Sequence, residues 1–586
     1  MAKTLLGSSD KSNFIVNMTE DQYAKFAVFG LTAACFMTSL AAVIPEVSDG
    51  NTYSVCATGL SVSGVLCLVL ALIAIIKKFV SGAVILPAAA FAAMLGWGTF
   101  SLAGSYDTNV GFYGFPQRGE GLLALIFYFG IFVTAASLRR KRAVNALFAA
   151  IIGAGMLNAV FALIQIFTGK LLFYAYTDIS VNVITLAPSG LSQSPVFLAM
   201  VLTLSLTSAI IVGTTGGSEK HRAVATLCAL VLAFTIVFTR TFAGVAGTVL
   251  ACIAGAASVF IAKKPKERLT VMLAVLVAAG IGITVASTLK SGNKKGYYLH
   301  DGYILWSDDA WQRVSACGNY NSVEENAKHI DLDIEDTFDV YTYLNREAID
   351  IIKRYPLDGT GPEQLVYPQI YTYGGLAENA PITDIAPKNP GTFDKVYNEY
   401  LYTAATRGIP SLIFLLTVLV STVVIGIRKL RKDASGANTG AFLLAVCGML
   451  VFMIGCSNIT FSPIFWACAG AACAALPEKE TAAAPKKKAA AVSSAKKKEK
   501  SGKNTETSEK KEHEGSSPVT SAVPETAEPE KKPAVKKAEP EKSAIAVPEK
   551  KAAALPRRQG SGKTPVSVSK QKEVPPKKRP RKGMSK

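Results

Sequence analysis

From the N-terminus onward, the chain alternates long apolar runs with short polar connections. The apolar stretches lie near 26–44, 55–76, 80–102, 121–138, 143–167, 195–213, 223–239, 242–262, 269–289, 409–427, 437–455 and 459–475. Each is close to the roughly 20 residues that a helix needs to cross a hydrocarbon core. In lipid such a run must be helical, because only hydrogen bonds within the segment satisfy its backbone. The pattern predicts an all-α polytopic membrane protein with about 12 transmembrane helices. It divides the chain into residues 1–289 with helices 1–9, a polar segment 290–408, residues 409–476 with helices 10–12, and a tail 477–586. Inside the polar segment, Arg346-Glu347-Ala348-Ile349-Asp350-Ile351-Ile352-Lys353 has amphipathic helical spacing, so a large and mainly helical loop domain is expected there.

The basic residues orient these runs. Lys77-Lys78, Arg139-Arg140-Lys141-Arg142, Lys220/Arg222, Lys263-Lys264/Lys266/Arg268 and Arg428-Lys429/Arg431-Lys432 fall on every second connection. Under the positive-inside rule, both termini are expected in the cytoplasm of a bacterial cell membrane and residues 290–408 outside it. Lys25 precedes a first span too long for a signal-peptide core, with no convincing small-residue cleavage site, so that span is expected to stay as an anchor.

Charge changes the picture at the C-terminal end. The formal net charge is +19, yet the tail holds 29 Lys/Arg against 14 Asp/Glu while the first 476 residues are nearly balanced, at 33 against 29. The tail is built of Ala, Lys, Pro, Glu and Ser without one aromatic residue, a composition that cannot form a core and predicts disorder. Its plain reading is a solvated appendage; the sharper one is attraction to anionic membrane lipids. No aromatic interleaves the lysines to stack on bases, so nucleic acid is not expected as a partner. Of ten Cys, only Cys317 lies in the large polar segment, and no CxxC pair occurs, so neither a disulfide framework nor a zinc site is expected.

Four arginines sit at the expected outer edge: Arg118, Arg240, Arg346 and Arg407. Snorkelling or a local ion pair accounts for any one alone. Arginine near hydrocarbon is nevertheless costly, and several around one cavity suit a bulky anion, because the planar guanidinium grips phosphate oxygens at two points. Asp331-Leu332-Asp333-Ile334-Glu335-Asp336 lacks the turn glycine and the final glutamate of a calcium loop. An Asp-x-Asp pair there is compatible with a metal-dependent transferase, but a solvated helix start is the simpler reading. His300 and His329 show no metal-ligand spacing. No metal or other cofactor is expected.

Four stretches, in this order, resemble the O-antigen ligase and O-antigen polymerase superfamily of bacterial envelope proteins. They are Arg118-Gly119-Glu120-Gly121-Leu122-Leu123; Ala162-Leu163-Ile164-Gln165-Ile166-Phe167 with the Pro188-Ser189-Gly190 to Pro195 loop; Ile349 through Tyr355-Pro356-Leu357-Asp358-Gly359-Thr360-Gly361-Pro362; and Tyr397-Asn398-Glu399-Tyr400-Leu401 through Arg407-Gly408-Ile409. The third resembles the family's Pro-Leu-x-Gly-x-Gly, the fourth its His-Asn-x-x-Leu followed by Gly-Ile and a span. The resemblance implies a C-type glycosyltransferase-like fold and a metal-independent, inverting transfer. The donor would be a glycan on undecaprenyl diphosphate, and the acceptor a hydroxyl of a glycan, lipid or wall polymer. It also implies that Arg118, Arg240 and Arg346 bind the diphosphate and that Tyr397, Asn398 and Glu399 are the catalytic candidates.

The chain departs from the family pattern at one point, where the family's histidine base aligns with Tyr397. Tyrosine is a poor base at neutral pH unless a nearby cation lowers its pKa. Three readings stand open: Tyr397 activated by an arginine; Glu399, Asp394 or His300 as the base; or binding of a glycan lipid without transfer. Two bland readings stand beside them. Pro356 to Pro362 could be a helix stop and turn alone, and Asn398-Glu399 only a polar start to the tenth span. A secondary transporter is the rival class, although no internal repeat of the transporter kind is visible. A non-catalytic scaffold that grips wall glycan is the third.

Overall fold

The computed structural model describes residues 17–43, 55–115, 118–168, 188–192, 194–288, 334–365 and 395–475. The chain divides by contacts into one unit, 1–488, and a second, 489–586, which lies wholly outside the described residues. The basic tail, His300, His329, Cys317, Asp331, Asp333 and Asp394 also lie outside them.

The described residues form α1 (Glu20–Ala41), α2 (Val55–Ile76), α3 (Ile85–Ala103), α4 (Thr108–Tyr113), α5 (Leu122–Ala136), α6 (Lys141–Thr168), α7 (Pro195–Thr215), α8 (Glu219–Ile236), α9 (Phe242–Ile261), α10 (Thr270–Thr288), α11 (Ile334–Arg354), α12 (Glu399–Lys432), α13 (Gly436–Val451) and α14 (Ser462–Cys473). Each of the twelve apolar runs therefore holds a helix among the described residues. Nine of the helices, α1 to α3, α6 to α10 and α12, are long and apolar enough to cross a membrane. The other three, α5, α13 and α14, are shorter apolar helices. At about 1.5 Å per residue, the 12 residues of α14 span roughly 18 Å, well short of a ~30 Å hydrocarbon core.

Two boundaries differ from the sequence expectation for a physical reason. The tenth run was expected to start at 409, yet α12 begins ten residues earlier. Asn398 accepts hydrogen bonds from the amides of Tyr400 and Leu401 and caps it. The run 437–455 stops as a helix at Val451, because the carbonyls of Phe452 and Gly455 accept the Glu399 amide. Asn458 Oδ1 then takes the amides of Thr460 and Phe461 and starts α14. Irregular backbone at this depth survives only where protein buries and satisfies it.

At the centre, α7 packs against α6, α8, α9 and α13, and all its residues except Val212 are buried. Around it α1 packs on α2 and α6, α2 on α5, α5 on α14 and α3 on α12. Apolar side chains point outward instead: Val62, Val65, Val69 and Leu72 on α2, and Leu273, Leu276, Val277, Ile281 and Ile283 on α10. Such continuous apolar faces belong against lipid, and the chain is a multi-pass membrane protein.

The basic connections meet at one end of this bundle. Arg139 donates to the carbonyls of Lys78 and Phe79, Arg140 pairs with Asp21 at 2.7 Å, Lys141 pairs with Asp433 at 2.9 Å, and Arg268 donates to the Thr214 carbonyl. The candidate chemistry collects at the opposite end, where α3 to α5, the α8–α9 hairpin, α11 and the start of α12 come together.

Candidate functional site

The site begins with a turn. After α11 ends at Arg354, Gly359 and Gly361 take left-handed conformations at φ +65° and +104°, which a side chain disfavours. The turn they make docks on α12. Thr360 N donates to the Ala405 carbonyl at 3.0 Å, Gly361 N to that of Thr406 at 2.9 Å, and Ile409 N to that of Pro356 at 2.8 Å. Gly408, at φ +79°, breaks the helical path there. From α3, Trp97 Nε1 donates to the Leu357 carbonyl at 3.0 Å, and Ser101 Oγ donates to the Asp358 carbonyl. Gln364 holds the far side by accepting the Asp107 amide and donating to its carbonyl. Both Gly-x-Gly and Arg-Gly-Ile thus serve one backbone interlock, so the turn reading is right but incomplete.

That interlock places Glu363, itself at φ +60°, inside the protein. There Lys395, fully buried, bridges two carboxylates, at 2.8 Å to Glu120 Oε2 and 2.5 Å to Glu363 Oε1. Tyr402 donates its hydroxyl to Glu363 Oε1 and lays its ring 4.5 Å from the ammonium. Tyr128 and Ser462 donate to Glu120 Oε1 at 2.9 and 3.3 Å. Burial pushes the Glu120 carboxyl up to about 7, against the pull of Lys395. Burial also pulls on the Lys395 ammonium, but Glu120 and Glu363 reverse it and hold Lys395 above its ordinary range. Sequence reasoning missed Lys395 and Glu363 and quoted Glu120 only within a motif. The available signal was slight: a glutamate just after Gly361-Pro362, and a lysine two residues before Tyr397.

One turn along α12, Glu399 and Arg407 form a second buried pair at 3.3 Å. Thr403 bridges them, donating to Glu399 Oε1 at 2.9 Å and accepting from Arg407 Nη2 at 2.8 Å. Glu399 Oε2 takes the Ser457 amide at 2.7 Å. Among the described residues, Arg407 Nη1 and Glu363 Oε2 are buried without a hydrogen-bond partner. An arginine was expected at 407, but its pairing with Glu399 was not.

The remaining candidates divide. Tyr397 is buried and stacks on Tyr341 of α11, ring centroids 4.9 Å apart. Tyr341 donates its hydroxyl to the Ile454 carbonyl and meets Phe242 edge-on at 5.6 Å. Asn398 spends its side-chain oxygen on the α12 cap. Arg118 is buried, its guanidinium 5.7 Å from the Phe197 ring at the start of α7. Arg240 is half-buried in a left-handed turn and donates to the Ala286 carbonyl at 2.9 Å. Arg346 is exposed on α11, whose Tyr341 touches the α9 end that Arg240 precedes. The fold therefore carries all three arginines to the same end of the bundle, in three different settings. No group of three His, Cys, Asp or Glu suited to a metal occurs among the described residues.

The arrangement offers guanidinium groups for an anion, a buried phenol and carboxylates for proton handling, and a rigid backbone interlock that aligns them. No curated protein matches this chain. Residues 227–416 match the family model described as O-antigen ligase, from α8 to the first half of α12, which takes in Arg240, Arg346, the glycine turn, Lys395, Tyr397 and Arg407 and leaves Arg118 and Glu120 outside. That match covers about a third of the chain and marks this segment as similar to O-antigen ligases.

Proposed function

We propose that the protein transfers or polymerises a glycan from an undecaprenyl-diphosphate donor onto an acceptor hydroxyl at the outer face of the cytoplasmic membrane. The observation that carries this reading is the interlock of Leu357 to Gly361 with Ala405 to Ile409. It joins two family-like motifs into one unit beside a buried arginine with an unsatisfied donor.

In this reading Arg118, Arg240 and Arg346 hold the diphosphate, joined by Arg407. Diphosphate is a good leaving group, and arginines aimed at its developing charge stabilise departure. The acceptor oxygen attacks the anomeric carbon, the bond to the diphosphate oxygen breaks, and a single displacement inverts that centre. Alignment of the two substrates supplies much of the acceleration. Of the three catalytic candidates, Tyr397 is the proposed proton acceptor, taking the acceptor's proton as its phenolate and becoming the neutral phenol. The oxygens of Glu399 already accept from Arg407, Thr403 and Ser457, and Asn398 is engaged at the helix cap. Glu399 then anchors Arg407, and Asn398 fixes the direction in which Tyr397 leaves α12.

Deletion of the gene followed by analysis of envelope glycans tests the proposal. Shortened chains identify a polymerase, and full chains left on the lipid carrier identify a ligase. Unchanged envelope glycans would overturn the reading.

A further inference from the structure

We propose that Glu120, Lys395 and Glu363 form a proton-binding site whose occupancy regulates transfer by setting how the segment carrying Tyr397 sits against α5 and α12. Two carboxylates share one ammonium, and the side chains are 2%, 3% and 0% exposed. With every group ionised, these three side chains together carry one net negative charge. Leaving such a charge buried costs several kcal/mol, so a proton is the cheapest counterion.

The hydroxyl groups that donate to the two carboxylates, from Tyr402 of α12, Tyr128 of α5 and Ser462 of α14, carry no charge. Glu399 adds a repulsive field at Glu120, and its own charge is matched by Arg407. Cys456 also acts on Lys395, in the same direction as the two carboxylates. Among the described residues, Glu363 Oε2 is buried without a hydrogen-bond partner. The upward shift of Glu120 to about 7 agrees with this geometry and puts the exchange in the neutral range.

The cluster also has mechanical reach. Lys395 lies two residues before Tyr397 in the segment that leads into α12, Glu120 precedes α5, and Glu363 closes the glycine turn. A proton gained or lost changes the attraction that ties these three pieces together. The proton site stands on the geometry alone, whereas its effect on transfer rests on the proposed function.

The test is an infrared pH titration of the purified full chain in liposomes between pH 5 and 9, read at the carbonyl stretch of a protonated carboxyl. The expected result is one carboxyl band with a midpoint near 7. Glu120→Gln or Glu363→Gln should remove that band. Lys395→Met, which takes away the competing cation, should move the midpoint upward by at least one pH unit. No titrating band, or a band untouched by both Glu→Gln substitutions, would overturn the site; should Lys395→Met fail to fold, those two variants decide. Glycan transfer measured over the same range should change with the same midpoint and flatten in Glu120→Gln. A titrating band in a chain that transfers nothing rejects the transferase reading and keeps the proton site. Transfer without the band rejects only the proton site.

Discussion

The carbonyl oxygen of Leu357 occupies the space that a Cβ on Gly408 would need, and Gly408 sits at φ +79°. Gly359 faces the same constraint against the backbone of Thr406 and Arg407. The turn after α11 and the kink in α12 are therefore one object, and each glycine is required by the other's backbone.

Gly408→Ala should separate them. A left-handed alanine costs about 1–2 kcal/mol, and the opposing atoms are backbone that cannot swing aside. The expected outcome is a melting temperature lowered by several degrees and loss of transfer. Gly280→Ala, where a Cβ meets nothing within 4 Å, serves as the control with an unchanged melting temperature.

Lys395→Met should be among the most damaging single substitutions. It leaves Glu120 and Glu363 buried without their cation, a loss of about 3–5 kcal/mol. Adding Glu363→Gln to it should restore part of the stability, because the two effects share one network. Thermal unfolding of the single and double variants measures the coupling; strict additivity would contradict the cluster.

Stability should also follow pH in a specified direction. The Glu120 carboxyl moves from 4.5 to about 7 on folding, so between those values the folded chain keeps a proton that the unfolded chain releases. Its contribution is fully present below about 4.5 and is lost as pH rises through about 7, a swing of at most about 3 kcal/mol by linkage. The melting temperature should fall from pH 5 to 7 and level off above, and Glu120→Gln should flatten that slope.

Tyr397 can be tested directly as the base. Tyr397→Phe keeps the ring that stacks on Tyr341 and removes only the hydroxyl. Transfer should fall by about 10²–10⁴-fold, the usual size of a general-base contribution. Full activity in this variant would remove Tyr397 from the mechanism. Tyr397→His should restore or raise activity if the position matches the family's histidine.

Much of the fold could be read from the chain because a lipid-crossing helix leaves a run of about 20 apolar residues. The break between α13 and α14 could not. It is held by Glu399, more than fifty residues upstream, taking the Ser457 amide and giving its own to Phe452 and Gly455. The site was legible as motifs but not as contacts. Arg118, Arg240 and Arg346 stood out because arginine beside an apolar run is unusual. Lys395 and Glu363 did not, since a single charge among polar neighbours looks solvated until the glycine turn docks and buries it.

The most direct measurement is transfer by the purified chain in liposomes, supplied with an undecaprenyl-diphosphate-linked glycan and a hydroxyl acceptor and without added metal. The account predicts that undecaprenyl diphosphate is released, that the glycan appears on the acceptor with its anomeric centre inverted, and that Arg407→Ala and Glu399→Ala lose this product. Donor that remains intact in the presence of folded protein and acceptor would contradict it.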